Sequence, residues 1–328
     1  MPNLDVNKLY KSINEGDNRA LAKAITLLES TLQSHQDLGN RILDLCLKNS
    51  GNSIRIAVTG VPGVGKSTFI DAFGQYLIDE HHKKVAVLAV DPTSQRSKGS
   101  ILGDKTRMNQ LSVSESAFVR PSPSGDTLGG VAAQTREAIL LCEAAGYDVI
   151  LVETVGVGQS ETLVHNMVDF FLLLLIPGAG DELQGIKRGI VEMADLVAIN
   201  KSETNKTLAK EAYMHYKNAL HLLQGSRQNW EVPVENIDSL SGLNLSTIYT
   251  QIERFVEVQK STGDFEAHRK QQAVKWFYQQ IKHGLMRLLD TDAALSKKAK
   301  GLADDVSQEN ISARSAANQF VSEILKPN

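Results

Sequence analysis

Cysteine is scarce in this 328-residue chain, with Cys46 and Cys142 the only two. Cys46 lies in a helical pattern and Cys142 in Ile139-Leu-Leu-Cys-Glu-Ala-Ala145, so a disulfide framework is excluded and both thiols are expected to be reduced and structural. A dominant charge is missing too: 35 basic against 38 acidic residues leave a formal net charge of −3. That balance gives no electrostatic reason to expect nucleic acid or an anionic membrane as a partner. Long apolar runs are lacking. The longest, Phe170 to Ile176, is about a third of the length that a membrane helix requires, ends at Pro177-Gly178, and reads as a central strand. Met1-Pro-Asn-Leu-Asp5 has neither the basic start nor the apolar core of a signal peptide. There is no internal repeat, no low-complexity tract, and no Cys-x-x-Cys or His-rich stretch of the kind a metal-inserting protein favours. These absences predict a cytoplasmic protein, and the 42% hydrophobic content suffices for one large α/β domain with helical additions.

What is present centres on Gly60-Val-Pro-Gly-Val-Gly-Lys66-Ser67-Thr68, which fits G-x-x-x-x-G-K-[ST]. In such a phosphate-cradling loop the glycines permit turns that a Cβ would block, and successive N–H groups converge on phosphate at a helix N-terminus. Gly63, Val64, Gly65, Lys66, Ser67 and Thr68 are the candidate phosphate contacts, with Lys66 reaching the β/γ oxygens and Ser67 ligating Mg²⁺. Ile54 to Thr59 reads as a buried strand entering the loop, and the run after Thr68 as the helix leaving it.

From Ser53 onward strands and helices alternate, predicting an α/β fold of the P-loop NTPase type with a doubly wound, mostly parallel sheet, plus N- and C-terminal helical extensions. Strands are expected at 54–59, 85–90, 148–153, 170–176, 195–200 and near 231–235. Ligands bind off the carboxyl ends of such strands, so the residues following each run are site candidates. Asp91 follows the second strand, where a carboxylate can bind Mg²⁺ directly or through water, or simply form an Asx-turn with Pro92. Asp104, further along the same polar loop, carries the same two readings. Pro121 to Val131 is a glycine-rich connection opening a helix over 135–145, more readily a loop and cap than a second phosphate site. Glu153 ends the next strand and begins Glu153-Thr-Val-Gly156, a carboxylate for Mg²⁺ followed by a glycine whose N–H can meet the γ-phosphate; a buried acid capped by a turn is the alternative. Asp181 and Lys187 lie in a glycine-bearing loop after the central strand, suited to responding to nucleotide or merely solvated.

Asn200-Lys201-Ser202-Glu203 resembles the guanine motif N-K-x-D, with Glu203 one methylene longer than Asp; adenine or relaxed specificity is the alternative. Ser239 and Leu240 occupy the usual place of the last base-contacting loop. Outside the core, Leu21, Ile25, Leu28 and Leu32 after Gly16-Asp17-Asn18 predict one N-terminal helix, and Ile42, Leu43 and Leu47 another. Helices are expected at 208–222 and 244–259. Beyond 261 the chain reads as helical, with Phe277, Ile281, Leu285 and Leu288 on one face and later Leu302, Val306, Phe320 and Ile324. His81-His82 reads as solvated surface. The expected organisation is a helical extension over 1–50, a nucleotide domain over 51–260 and a helical arm over 261–328.

The ordered set of the P-loop, Asp91-Pro-Thr93, Gly99 to Met108, Arg120-Pro-Ser-Pro-Ser124, Thr127-Leu-Gly-Gly-Val131, Glu153-Thr-Val-Gly-Val-Gly-Gln-Ser-Glu161 and Gly178 to Lys187 closely resembles the MeaB/ArgK family, over nearly the whole chain. The resemblance implies a GTPase using GTP/GDP and Mg²⁺, a G-protein chaperone of the adenosylcobalamin enzyme methylmalonyl-CoA mutase. It also implies Mg²⁺ handling by Ser67 with Asp91, Asp104 and Glu153, catalysis depending on Lys66 and those carboxylates, a switch spanning Asp181 to Lys187, and a homodimer formed through the C-terminal arm. An older label for the family, a kinase or ATPase tied to basic amino-acid transport, is the rival. Two positions depart from the family pattern: Glu203 in place of Asp, and Lys98 in place of Gly.

Overall fold

The computed structural model describes residues 4–90, 108–121, 128–154, 160–178, 188–222 and 229–324. Asp91, Lys98, Asp104, Gly156, Asp181 and Lys187 lie outside the described residues. The chain divides into two compact units, one ending at Glu266 and one starting at Ala267.

The first unit opens with three helices, α1 (Val6–Asn14), α2 (Asn18–Glu29) and α3 (Gln33–Cys46). Asp5 and Asp17 start α1 and α2 by accepting hydrogen bonds from the N–H groups two and three residues on, the N-capping geometry that satisfies otherwise orphaned donors. Then come β1 (Ile54–Gly60), α4 (Lys66–His81), β2 (Val85–Val90), β3 (Ala117–Arg120), α5 (Leu128–Ala144), β4 (Val149–Thr154), α6 (Ser160–His165), β5 (Phe170–Leu175), α7 (Arg188–Met193), β6 (Leu196–Ile199), α8 (Lys206–Leu222), β7 (Val234–Asn236) and α9 (Leu245–Thr262). The seven strands lie in the order β3-β2-β4-β1-β5-β6-β7, and every pairing is parallel. β1 is central, and the chain winds first to one side of it and then to the other. All six residues of β2, β4 and β5 are buried, as strands covered by helices on both faces must be.

Alternate strand residues feed two cores. Ala57, Ile150 and Phe171 face one in which Ile13, Leu21, Ile25 and Ile42 of the N-terminal helices pack against Leu141 of α5. Ile56, Val58, Leu151 and Phe170 face the other, filled by Phe69 and Phe73 of α4 and Phe255 of α9. The N-terminal helices therefore belong to the nucleotide unit, with α2 and α3 lying on α5.

Several expectations need correction. Leu32 does not continue α2; it is the exposed N-cap of α3. Leu47 falls in a short 3₁₀ turn after α3 and is exposed. The strand β3 has no counterpart among the expected strands, α1 adds a further helix within the helical extension over 1–50, and α5 begins at Leu128, well before 135. His81 is not free in solvent: its ring packs 4.1 Å from that of Tyr249, and its Nε2 shares a 3.0 Å hydrogen bond with the Tyr76 hydroxyl.

The second unit comprises α10 (Asp264–Thr291) from Ala267 onward, α11 (Ala293–Ser307) and α12 (Ala313–Ile324). α11 and α12 pack together, with Lys298 paired to Glu323. The face of α10 expected to be apolar is exposed in the single chain, Phe277 at 60% and Leu285 at 59%. Among the described residues no helix is long and apolar enough to cross a membrane.

At the amino end of β1, Glu143 is fully buried as a side chain and accepts four hydrogen bonds: from Gly51 N at 2.9 Å, Ser53 Oγ at 2.6 Å, and Arg55 Nε and Nη2 at 2.9 Å each. Removing one side of a buried ion pair strands the other charge, which costs about 3–5 kcal/mol. Glu143→Gln is therefore expected to lower the unfolding free energy by about that amount, read by urea denaturation, and a paired Arg55→Met, Glu143→Leu exchange is expected to cost less.

Candidate nucleotide-binding site

The carboxyl end of β1 is built in the opposite manner, with donors left open. Gly60 passes so near β5 that a Cβ there would stand 2.4 Å from the Leu174 carbonyl oxygen; only glycine fits. Gly65 then takes a left-handed backbone, φ +96°, as the first residue before α4, and no side chain caps that helix start. A left-handed conformation is costly for a residue with a Cβ. The first-turn N–H groups of α4 thus point into the loop, the arrangement that receives phosphate. Val64 anchors the loop through its fully buried side chain, while Gly63 and Thr68 are exposed.

Lys66 is nearly buried. Its Nζ donates to the Gly60 carbonyl at 2.8 Å and to the Val61 carbonyl at 3.3 Å, so the ammonium sits across the mouth of its own loop. Burial pulls its pKa below the ordinary lysine value, while the carboxylates of Glu153 and Glu161 act in the opposite sense. Desolvation is the larger effect, and the two acids offset part of it.

Glu153, one residue before the end of β4, lies beside Val58 of β1 and accepts from Ser67 Oγ at 2.9 Å. Behind it Thr154 Oγ1 donates to Thr59 Oγ1 at 2.8 Å, both residues being buried. A hydroxyl and a carboxylate at a phosphate cradle are hard oxygen donors, and Mg²⁺ in such sites takes one or two protein oxygens together with phosphate and water. Ser67 and Glu153 fit that requirement. No group of three or more His, Cys, Asp or Glu side chains able to hold a metal unaided occurs among the described residues.

The loop after β6 closes the site from the other side. Asn200 is buried, and its Nδ2 donates to the Val64 carbonyl at 2.9 Å while its Oδ1 accepts from Ser239 N at 3.0 Å and Ser239 Oγ at 2.8 Å. Lys201, at φ +58°, turns its Nζ onto the Gly63 carbonyl at 2.9 Å. Glu203 is exposed, and Leu240 is 86% exposed. The sequence motifs therefore converge on one sheet edge: Gly63 to Thr68, Glu153, Asn200, Lys201 and Ser239 form a bonded constellation, with Glu203 and Leu240 on its solvent side. Two contributors carried no assigned role in the sequence reading. Asp238 shapes the last loop by accepting from the backbone N–H of Leu240 and Ser241, each at 3.1 Å; an Asp just before Ser-Leu-Ser-Gly is the detectable signal. Glu161 closes the motif that Glu153 opens, and its burial has no local signature.

The chain matches the model of the family described as methylmalonyl Co-A mutase-associated GTPase MeaB over residues 21–294. A relative in Caulobacter vibrioides is 48% identical over 321 residues, covering 98% of each chain. GTPase ArgK of Escherichia coli is 43% identical over 311 residues, covering 94% of each. The methylmalonic aciduria type A homolog, mitochondrial, of Mus musculus is 43% identical over 304 residues, 89% of this chain and 73% of that one. Among solved structures, that of a LAO/AO transport system kinase superposes with a TM-score of 0.78 at 37% identity, covering 98% of both chains. With a parallel sheet wound about β1, a P-loop and a guanine-type loop on one edge, and similarity that runs end to end, the chain belongs to the methylmalonyl Co-A mutase-associated GTPase MeaB family and is a P-loop GTPase that takes guanine nucleotide.

Proposed function

We propose that this GTPase works with Mg²⁺ and uses its nucleotide state to gate cofactor delivery to, or protection of, an adenosylcobalamin-dependent methylmalonyl-CoA mutase. The observation that carries the mutase link is the match over 21–294 to a family described by its association with that enzyme. The cradle supports the chemistry. Gly63, Val64, Gly65, Ser67 and Thr68 supply backbone N–H groups to the phosphates, and Lys66 turns from its loop carbonyls to the β/γ oxygens. Ser67 and Glu153, with Asp91 and Asp104, hold the Mg²⁺, which when bound neutralises phosphate charge. Gly156 offers an N–H to the γ-phosphate. Lys201 covers the base, Glu203 pairs with it, and Asn200 with Ser239 and Leu240 shapes its pocket. Phosphoryl transfer in this class rests on positioning and charge neutralisation.

Intrinsic turnover is expected to be slow and to rise when a partner completes the site. The decisive experiment measures phosphate release from GTP and from ATP, with and without the mutase from the same source. GTP turnover that rises with the mutase, and falls at least about a hundredfold in Lys66→Ala, supports the reading. A second reading, a kinase serving basic amino-acid transport, is favoured by the likeness to the solved LAO/AO transport system kinase; preference for ATP, or label transferred to a protein, would establish it.

The protein acts in the cytoplasm as a homodimer through the 261–328 arm, a reading supported by the exposed apolar face of α10. Phe277→Asp with Leu285→Asp is expected to convert a dimer to a monomer in sedimentation equilibrium without lowering basal GTP turnover. A wild-type chain that sediments as a monomer at micromolar concentration would remove the dimer.

A further inference from the structure

β7 is the last strand of the sheet, so one of its long sides has no neighbouring strand. Its other side bonds β6: Val197 N donates to the Pro233 carbonyl at 3.0 Å, and Ile237 N to the Ile199 carbonyl at 2.8 Å. Backbone groups alternate along a strand, so Pro233, Glu235 and Ile237 face β6 while Val232, Val234 and Asn236 turn theirs outward. The Asn236 carbonyl is covered there by Asn244 Nδ2 at 2.8 Å. The N–H and carbonyl of Val234 bond no other described residue. An edge left open in this way is a template for another chain unless it is covered, or blunted by charge on the strand. The single charged residue of β7, Glu235, is turned aside and accepts from Gln251 Nε2 at 3.2 Å.

Outside that edge lies a cleft of about 240 Å³ bordered by Val232, Val234, α8 and α9, the two helices packing on opposite faces of the sheet. Lys217 of α8 stands on one wall, 5.7 Å from the centre of the Tyr213 ring, and Arg254 of α9 on the other, 5.7 Å from that of Trp230. Neither cation forms an ion pair with a described residue. Glu231 and His221, also at the border, are exposed to water. The cleft thus joins open backbone groups to one cation without a carboxylate partner on each side.

We propose that the β7 edge is a docking site for an extended, acidic segment of a partner protein, which adds to the sheet as a further strand. Main-chain bonds to Val234 give such a pairing its affinity, and pockets for alternate side chains give it specificity. Successive residues of an added strand point to opposite faces, so two adjacent acidic residues reach Lys217 on one wall and Arg254 on the other. The recognised sequence is therefore a pair of neighbouring Asp or Glu residues within a short β-forming run.

The test uses the full chain and a fluorescein-labelled peptide, Thr-Val-Glu-Glu-Val-Thr with blocked ends, read by fluorescence anisotropy. The acidic peptide is expected to bind roughly tenfold more tightly than its Lys-Lys counterpart, with the preference shrinking as salt is raised. N-methylation of the peptide backbone should weaken binding about three- to tenfold, and hydrogen exchange at the Val234 amide should slow when the peptide binds. Lys217→Glu with Arg254→Glu is expected to reverse the preference in favour of the Lys-Lys peptide. Both side chains are exposed, so the melting temperature should not change; if it falls, Lys217→Ala and Arg254→Ala singly should each weaken the acidic peptide about threefold. No binding at millimolar peptide, equal binding of the two peptides, or unaltered exchange at Val234 would each overturn the proposal. Displacement by inorganic phosphate, with the N-methylated peptide binding undiminished, would reveal an anion site only and overturn it as well.

Discussion

The side-chain amide of Asn200 is the contact on which the geometry of the site depends. Its two ends serve two loops, Nδ2 reaching the P-loop at Val64 and Oδ1 receiving the backbone and hydroxyl of Ser239 after β7, while its own backbone N–H bonds the Leu175 carbonyl at the end of β5. Because the residue is buried, these bonds meet little competition from water, and each group left unpaired would cost about 1–3 kcal/mol. The demand on Gly65 follows. A Cβ at that position would lie 2.8 Å from Asn200 Nδ2, so the glycine is required by a neighbour more than 130 positions away in sequence as well as by its own left-handed backbone.

β1 shows how one strand can be fixed at one end and open at the other. At its start, Arg55 and Glu143 satisfy each other, and Glu143 also takes Gly51 and Ser53. At its finish, α4 begins with no side-chain cap, and Lys66 donates to carbonyls of its own loop. Neutral carbonyls are weaker partners for an ammonium than a charged phosphate oxygen would be. The saturated end therefore resists change, and the end that meets ligand has bonds it can exchange.

Much of this was legible in the sequence because the signals were local. Strands buried on both faces read as continuous apolar runs, which made β1, β2, β4, β5 and β6 visible, and the P-loop spacing is itself the geometry of the turn. The short edge strand β3, four residues ending in Arg120, has no such run. Leu32 fitted the helical period of α2 yet caps α3, because Ser30 leaves α2 in an extended conformation. The motif at Asn200 announced a base-binding loop, but not that its amide clamps the P-loop, since that contact needs two loops brought together by the sheet. His81 beside Tyr249 is the same kind of case, a pairing between α4 and α9 that neither segment reveals alone.

Two hydrogen bonds cross between the exits of β1 and β4, and their difference bears on how the site can take a ligand. Thr59 with Thr154 is buried, so no ligand oxygen or water can readily replace either partner. Ser67 with Glu153 is only partly buried and lies where phosphate and Mg²⁺ would arrive. If Ser67 gives up that bond to a ligand, the bond between Thr59 and Thr154, one residue along from Glu153, stays in place. An exchangeable bond beside a fixed one lets the cradle accept a ligand without breaking the buried link between β1 and β4, in keeping with a close-packed core that resists general deformation.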